Sequence, residues 1–292
     1  MTDESMDARR ERNAARIREA IRRQPPMPAL CGEVARHIRE PAADFGMLAE
    51  EMRLDPGVTM NVLKLANSAY FGSSGRVDSL RHAFVRLGAR RLFQLVVAQG
   101  VASRMATRLA GYGLEPGALL RHSLCVAMTA EALTRTRKLG FEETIFTAGL
   151  LHDMGKPVMD VFVSEAGPEA QARLRDEPVC SEAAEADLFG ISHAEAGALL
   201  MTEWGFPADL AEIVRAHHRI AATKLYGLPA RMVRLADGYA ASRGFGGGQE
   251  AAIRDSLAED EAALGVAPAD FEKLTEGIPE KVAELEAVLA PE

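Results

Sequence analysis

The sequence predicts an all-α protein, with an N-terminal helical bundle packed on a second, C-terminal helical bundle. Three observations carry this expectation. Apolar residues recur at three- and four-residue steps along most of the chain, the spacing of a helix face. Sustained two-residue alternation, the mark of half-buried strands, is nearly absent. Proline and glycine gather between the periodic stretches, as in Pro25-Pro26-Met27-Pro28 and Gly111-Tyr112-Gly113, where they interrupt helices.

The elements follow in order. Residues 1–24 form a charged lead-in, in which Ile17, Ala20 and Ile21 make only a thin apolar stripe without Trp or Phe. That pattern predicts a solvated helix rather than one lying on a membrane. Residues 25–115 form the first bundle. A helix over 29–39 is ended by Pro41, and another over 44–52 puts Leu48 and Met52 on one face. Asp55 then suits an N-cap and Pro56 the first helical position, where its missing N–H costs nothing. Val58, Val62 and Leu65 share a face of this helix, and the Gly- and Ser-rich stretch 71–77 reads as a loop. Helices over 80–87 and 92–105 part near Gly88, and Pro116-Gly117 helps mark the boundary between the halves.

The second bundle spans 116–243. Its predicted helices cover 118–138, 141–154, 192–203, 208–218 and 228–242, with a looser region around Pro157, Gly167, Pro168 and Pro178. Gly244-Phe245-Gly246-Gly247-Gly248 reads as a flexible break. An acidic helical tail, 249–292, follows with Val282, Leu285 and Val288 in register; packing on the body and binding a partner are both open to it.

Composition excludes several classes of function. Hydrophobic residues make up 48% and charged residues 26% of the 292, which fits a globular core and not a disordered chain. A formal net charge of −8 argues against nucleic acid as a partner, since such binders display a basic footprint. No run approaches the roughly 18–20 apolar residues that span a bilayer. Cys31, Cys125 and Cys180 lack CxxC spacing and fit a reducing compartment. A cytoplasmic protein is the expectation. No receiver, kinase or cyclase segment is recognisable, so a signal is expected to arrive by diffusion or docking.

Five of the seven histidines lie in the second half. His152-Asp153 closes an apolar helix, and imidazole and carboxylate together are good ligands for Zn, Mn or Fe. His122 lies between Leu119 and Val126 at the spacing of a buried face, so its ring points inward. Ser192-x-x-Glu195 is a capping box that starts a helix at His193, and the positive helix end there should favour the neutral ring. His217 continues the Leu210–Ile213 row, and His218 continues from Val214. Asp237 sits among Val233, Leu235 and Ala236, where a carboxylate needs a partner: Arg234 one turn back, or a bound cation. Each residue alone has an ordinary packing role open to it, whereas one shared site would satisfy them all.

The order His122, His152-Asp153, His193, His217-His218, Asp237 resembles the HD superfamily of metal-dependent phosphohydrolases, including its HD-GYP branch. The resemblance implies that His122, His152, Asp153 and Asp237 bind a main metal and that His193, His217 and His218 serve a second metal or a phosphate. Lys156, in His-Asp-x-Gly-Lys, is similar to a lysine that touches substrate phosphate in that branch. One or two ions of Fe, Mn or Zn are implied, and Asp153 and Lys156 carry the chemistry if the protein is an enzyme. A narrower likeness covers about 25–240. Asp55-Pro56-Gly57, Leu63-Lys64-Leu65-Ala66-Asn67-Ser68-Ala69-Tyr70-Phe71-Gly72, Ala148-Gly149-Leu150-Leu151-His152-Asp153, His193-Ala194-Glu195-Ala196-Gly197 and Trp204-Gly205-Phe206-Pro207 resemble the HDOD (HD-related output domain) family. That likeness implies a non-catalytic regulatory module of bacterial signalling, with a signalling protein or a nucleotide ligand as partner. The alternative is a metal-dependent phosphohydrolase acting on a nucleotide or phosphoester. Two departures bear on it: Arg219-Ile220-Ala221-Ala222-Thr223 stands where a GYP motif would lie, and Ala118 offers no carboxylate for a third metal.

The first half contributes further candidates. Asn67, Ser68, Tyr70 and Phe71 at a helix end form a docking surface or, more in keeping with aromatics beside a helix terminus, cap the helix and fill the seam between halves. Arg86, Arg90 and Arg91 gather around Leu87-Gly88 as candidates for an acidic partner or a nucleotide phosphate, though a solvated face is the commoner use of such a group.

Overall fold

A computed structural model describes residues 6–27, 56–71, 75–137, 142–176, 180–246 and 253–289. The expected helices over 29–39 and 44–52, the Asp55 cap, part of the 71–77 loop and Cys31 lie outside these residues. Among the described residues fourteen α-helices and one short 3-10 turn, Ile220–Ala222, account for the regular structure. The fold is all-α. Among the described residues the single pairing of extended type is an isolated bridge between Leu109 and Leu114, which closes the turn between the halves.

The first half shows α1 (Met6–Arg22), α2 (Pro56–Ala66) and α3 (Leu80–Met105). Ser79 caps α3 by accepting from the His82 N–H. Gly88 breaks α3 with φ 75° and ψ 165°, a conformation that Gly reaches at no steric cost, so the two predicted helices are two rods meeting at a kink. Asn67 closes the end of α2: its amide donates to the Leu63 and Val77 carbonyls and its oxygen accepts from the Val77 N–H. One side chain thus ties the helix end to the strand-like segment entering α3.

The second half is built around α4 (Ala118–Arg137), whose Leu119, Leu120, Leu124 and Met128 are fully buried. Against it lie α5 (Glu142–Leu151) and, later in the chain, α11 (Gly227–Ser242). Gly149 permits the first contact, since a Cβ there would stand 2.9 Å from the Ala127 Cα. The region expected to be loose is instead helical: α6 (Gly155–Ala166), α7 (Pro168–Asp176) and α8 (Cys180–Phe189). Pro157 and Pro168 fall in first turns, where no intrahelical N–H is lost. Next come α9 (His193–Glu203) and α10 (Ala208–Ala216).

Two segments correct or complete the sequence reading. The lead-in helix is not solvated on its apolar side: Ala14, Ile17 and Ile21 are buried against α6, α8 and α9. Polar contacts reinforce the docking, because Arg10 Nε donates to the Asp187 carbonyl at 2.6 Å and Arg16 pairs with Glu165 at 2.9 Å. A thin stripe suffices because it meets an apolar surface supplied by distant sequence. The acidic tail forms α12 (Ile253–Leu264), α13 (Pro268–Leu274) and α14 (Ile278–Leu289) and packs on the body. Val282 and Leu285 are buried, Glu286 pairs with Arg121 at 2.6 Å, and Glu284 accepts from the Ala69 N–H at 2.9 Å.

Between the halves runs a buried polar seam. Glu131 on α4 is 1% exposed and receives Arg91 at 2.9 Å, Arg135 at 3.1 Å and the Tyr70 hydroxyl. Tyr70 stacks on Phe146, and Phe71 meets the same ring edge-on, each with centroids 5.8 Å apart. Asn67, Tyr70 and Phe71 are therefore cap and packing, not an open docking surface. The arginine group disperses: Arg91 turns inward to Glu131, Arg86 donates to the Gly75 carbonyl, and the Arg90 side chain lies outside the described set. Arg91 is thus withdrawn from the expected role in binding an acidic or phosphate ligand. Glu131→Ala removes the shared acceptor and leaves a mostly buried guanidinium without its carboxylate and with the Gln94 oxygen as acceptor, which should cost about 3 kcal/mol in urea unfolding. Arg135→Ala, at an exposed end of the same network, should cost no more than about 1 kcal/mol. Equal small losses would contradict the seam's role.

Candidate metal centre

Six segments bring the predicted residues together. His122 projects from α4, while His152 and Asp153 follow the last turn of α5 and Lys156 opens α6. His193 begins α9, His217 and His218 follow α10, and Asp237 lies on α11. Local chemistry explains the sharp turn after Asp153. A Cβ on Gly155 would fall 2.0 Å from the His193 carbonyl and 2.8 Å from the Gly197 N, so only glycine lets α6 and α9 start against one another. Ser192 caps α9 by accepting from the Glu195 N–H at 3.3 Å. Asp237 is free for the centre because Arg234 is taken up by the fully buried Asp260 of α12, together with Arg231.

Two groups of donor atoms result. In the first, His122 Nε2 lies 3.2 Å from His152 Nε2, 3.2 Å from Asp237 Oδ1 and 3.5 Å from Asp153 Oδ2. In the second, His193 Nε2 lies 3.1 Å from His218 Nε2, with His217 beside them. Asp153 joins the groups: Oδ2 faces His152 at 3.4 Å, whereas Oδ1 faces His193 at 3.2 Å. The latter contact lacks hydrogen-bonding geometry, so Oδ1 is buried without a hydrogen bond, as is His217 Nε2.

The outer nitrogens explain the ring orientations. Nδ1 of His122 meets the Phe245 carbonyl at 2.6 Å, that of His152 the Gly149 carbonyl at 2.7 Å and that of His217 the Val214 carbonyl at 2.6 Å. A carbonyl only accepts, so each Nδ1 carries hydrogen and each neutral ring turns a bare Nε2 inward. His193 Nδ1 meets Glu185 Oε2 at 2.7 Å instead.

Electrostatics in the metal-free chain follow from this crowding. Burial pushes His122 down, but its hydrogen bond to Asp237 and the charges of Asp237 and Asp153 leave it raised. His152, beside it, is lowered, chiefly by burial. Burial pushes His193 down, but the charge and hydrogen bond of Glu185, with the charge of Asp153, leave it raised, against the direction expected from the helix end. Burial, then the charges of its histidine neighbours, lower His217 to about 3 and depress His218 as well. In each facing pair one ring is thus raised and the other lowered. Burial alone would raise Asp153, but Lys156 at 2.7 Å and the histidines hold it well below the carboxylate range. Asp237 is lowered too, against its burial, by His122.

The donor set fits a metal. Imidazole nitrogens and carboxylate oxygens suit Zn, Fe and Mn, and two buried ligand atoms have no hydrogen-bond partner. The sequence profile of the HDOD domain matches residues 24–220. The chain belongs to the HDOD family. An HDOD protein of Geobacter sulfurreducens superposes with a TM-score of 0.74 at 23% identity, covering 96% of this chain and 97% of that one. A Shewanella amazonensis protein named as a proposed phosphohydrolase also gives 0.74, at 24% identity over 95% and 99%. A proposed signal transduction protein of Marinobacter aquaeolei gives 0.71 at 20% identity over 97% and 66%. These likenesses establish the fold. A Treponema pallidum protein is 26% identical over 212 residues, 71% of this chain and 40% of that one, so the chain spans well under two thirds of that relative.

All seven residues expected as ligands in this HDOD chain converge. Lys156, expected to face a phosphate, is instead turned onto Asp153 and only 6% exposed. Glu185, Tyr112 and the Phe245 carbonyl were not foreseen, since a glycine-rich break and a carboxylate on a neighbouring helix carry no ligand spacing. Among the described residues no helix is long and apolar enough to cross a membrane. A histidine near 3 when folded and 6.5 when unfolded binds its proton only on unfolding within that interval. Its contribution therefore turns against the fold as pH falls. In metal-free protein, the stability of wild type relative to His217→Leu should drop between about pH 6.5 and 4, by at most about 1.4 kcal/mol per unit. Urea unfolding of both across that range measures it, and a constant gap would contradict the assignment.

Proposed function

We propose that this HDOD chain is a non-catalytic regulatory module whose His/Asp constellation holds one or two ions of Fe, Mn or Zn. His122, His152, Asp153 and Asp237 would hold one, and His193, His217 and His218, with Asp153 shared, the other. One observation carries the non-catalytic reading: the ligand set is complete but mostly enclosed, with only Asp237 and His218 partly exposed. His122, His152, Asp153, His193 and His217 are each no more than 1% exposed, and Lys156 is spent on Asp153 rather than turned to an open face. A bound ion of this kind can polarise a phosphoryl oxygen or acidify water, but a phosphoester also needs room beside it. The residues here serve instead to lock α4, α5, α9, α10 and α11 in one arrangement. A partner then reads the surface of that arrangement: a signalling protein or a nucleotide-type ligand in the cytoplasm.

The intact ligand set favours the alternative, a phosphohydrolase acting on a nucleotide or phosphoester. The two separate by a hydrolysis screen of the metal-loaded full chain and Asp153→Asn against nucleotides, cyclic dinucleotides and a generic phosphoester. The expected result is no phosphate release above that of free metal. Turnover in the wild type that Asp153→Asn abolishes would overturn the regulatory reading and establish the enzymatic one.

A further inference from the structure

The two donor groups are not equivalent, and the difference lies behind the ligands. His122, His152 and His217 rest their Nδ1 on main-chain carbonyls, whereas His193 rests on the carboxylate of Glu185. That carboxylate is fully buried and takes three donors: His193 Nδ1 at 2.7 Å, the His193 N–H at 2.6 Å and the Tyr112 hydroxyl at 2.8 Å. The backbone N–H can only donate, and the hydroxyl and the ring Nδ1 donate beside it to the same carboxylate. The backbone contact fixes Glu185 to the first residue of α9 and the ring contact fixes the imidazole's rotation. Tyr112, from the turn between the halves, holds the opposite oxygen.

Charge distribution makes this pair matter. The first group has two carboxylates of its own, Asp153 and Asp237, close to its histidine nitrogens. The second has three imidazoles and only the far oxygen of Asp153. A divalent cation there would meet neutral donors almost alone, unless negative charge reaches it through a ligand. A carboxylate that takes the Nδ1 hydrogen makes the opposite nitrogen a stronger donor.

We propose that Glu185, anchored by Tyr112, is the positioning residue for the ion held by His193, His217 and His218, and that the other ion does not depend on it. This rests on the metal reading above and assigns a role to residues outside the ligand set. Glu182 is the natural control. It lies one turn earlier on α8, contacts Ser192 at 3.2 Å and Arg219 at 3.0 Å, and supports the same corner without touching the ring.

The test is Mn(II) titration of the metal-free full chain, followed calorimetrically, for wild type, Glu185→Gln, Tyr112→Phe and Glu182→Gln. Wild type should take up two equivalents. Glu185→Gln should retain one and bind the other about 10–100-fold more weakly, Tyr112→Phe should show a smaller loss of the same event, and Glu182→Gln should match wild type. A second readout needs no metal: the proton NMR signal of His193 Nδ1–H, shared with a carboxylate, should be shifted far downfield in wild type and lose that shift in Glu185→Gln. Undiminished uptake in Glu185→Gln, or an equal loss in Glu182→Gln, overturns the assignment while leaving the metal reading intact. No Mn(II) uptake by wild type overturns both.

Discussion

Buried imidazoles facing one another with bare nitrogens cannot be left alone, and the second half of this protein is organised around that constraint. His122 and His152 bring Nε2 atoms to 3.2 Å, and His193 and His218 bring theirs to 3.1 Å. Where the outer nitrogens are tied to fixed acceptors, the rings cannot turn away. Lone pairs at that distance repel unless a positive charge sits between them, whether a proton on one ring or a cation among several. In the metal-free chain His122 and His193 are raised beside the lowered His152 and His218, the direction in which a shared proton would act. A metal is the solution that satisfies every donor together, including the His217 nitrogen and the Asp153 oxygen that have no hydrogen bond.

The surrounding fold packs closely around this arrangement. Gly155 and Gly149 let helices approach where any side chain would collide with backbone. Asp260 takes up Arg234 and so leaves Asp237 to the centre. The first bundle bears on the site from outside: Tyr70, Phe71 and Arg91 fasten it to Glu131 and Phe146 on the two helices, α4 and α5, that lead to the ligands. Helix α1 braces the corner formed by α8 and α9.

Much of the centre was legible in the sequence because each ligand lies on or at the end of a periodic apolar helix, where a polar residue demands explanation. His122 between Leu119 and Val126, and Asp237 among Val233, Leu235 and Ala236, are instances. The kink at Gly88 and the caps at Ser192 and Asn67 were similarly local and readable. What could not be read depends on juxtaposition across the chain. Glu185 looks like any carboxylate on an alanine-rich helix until α9 is laid against it. The Phe245 carbonyl has no sequence signature at all. The stripe on α1 was too thin to predict burial because its counterpart comes from residues more than a hundred positions away, and the region after Gly155 was judged by its prolines, of which Pro157 and Pro168 fall harmlessly in first turns.

Metal content is the most direct measure of whether the converging nitrogens form a working centre. Mass spectrometry on gently purified full chain, beside His152→Ala/Asp153→Ala, reads it without assuming any activity. The account predicts near-stoichiometric Fe, Mn or Zn in the wild type and its loss in the variant. No metal in either, even after anaerobic loading with Fe(II) and Mn(II), would contradict it and leave the histidines as a proton-sharing core.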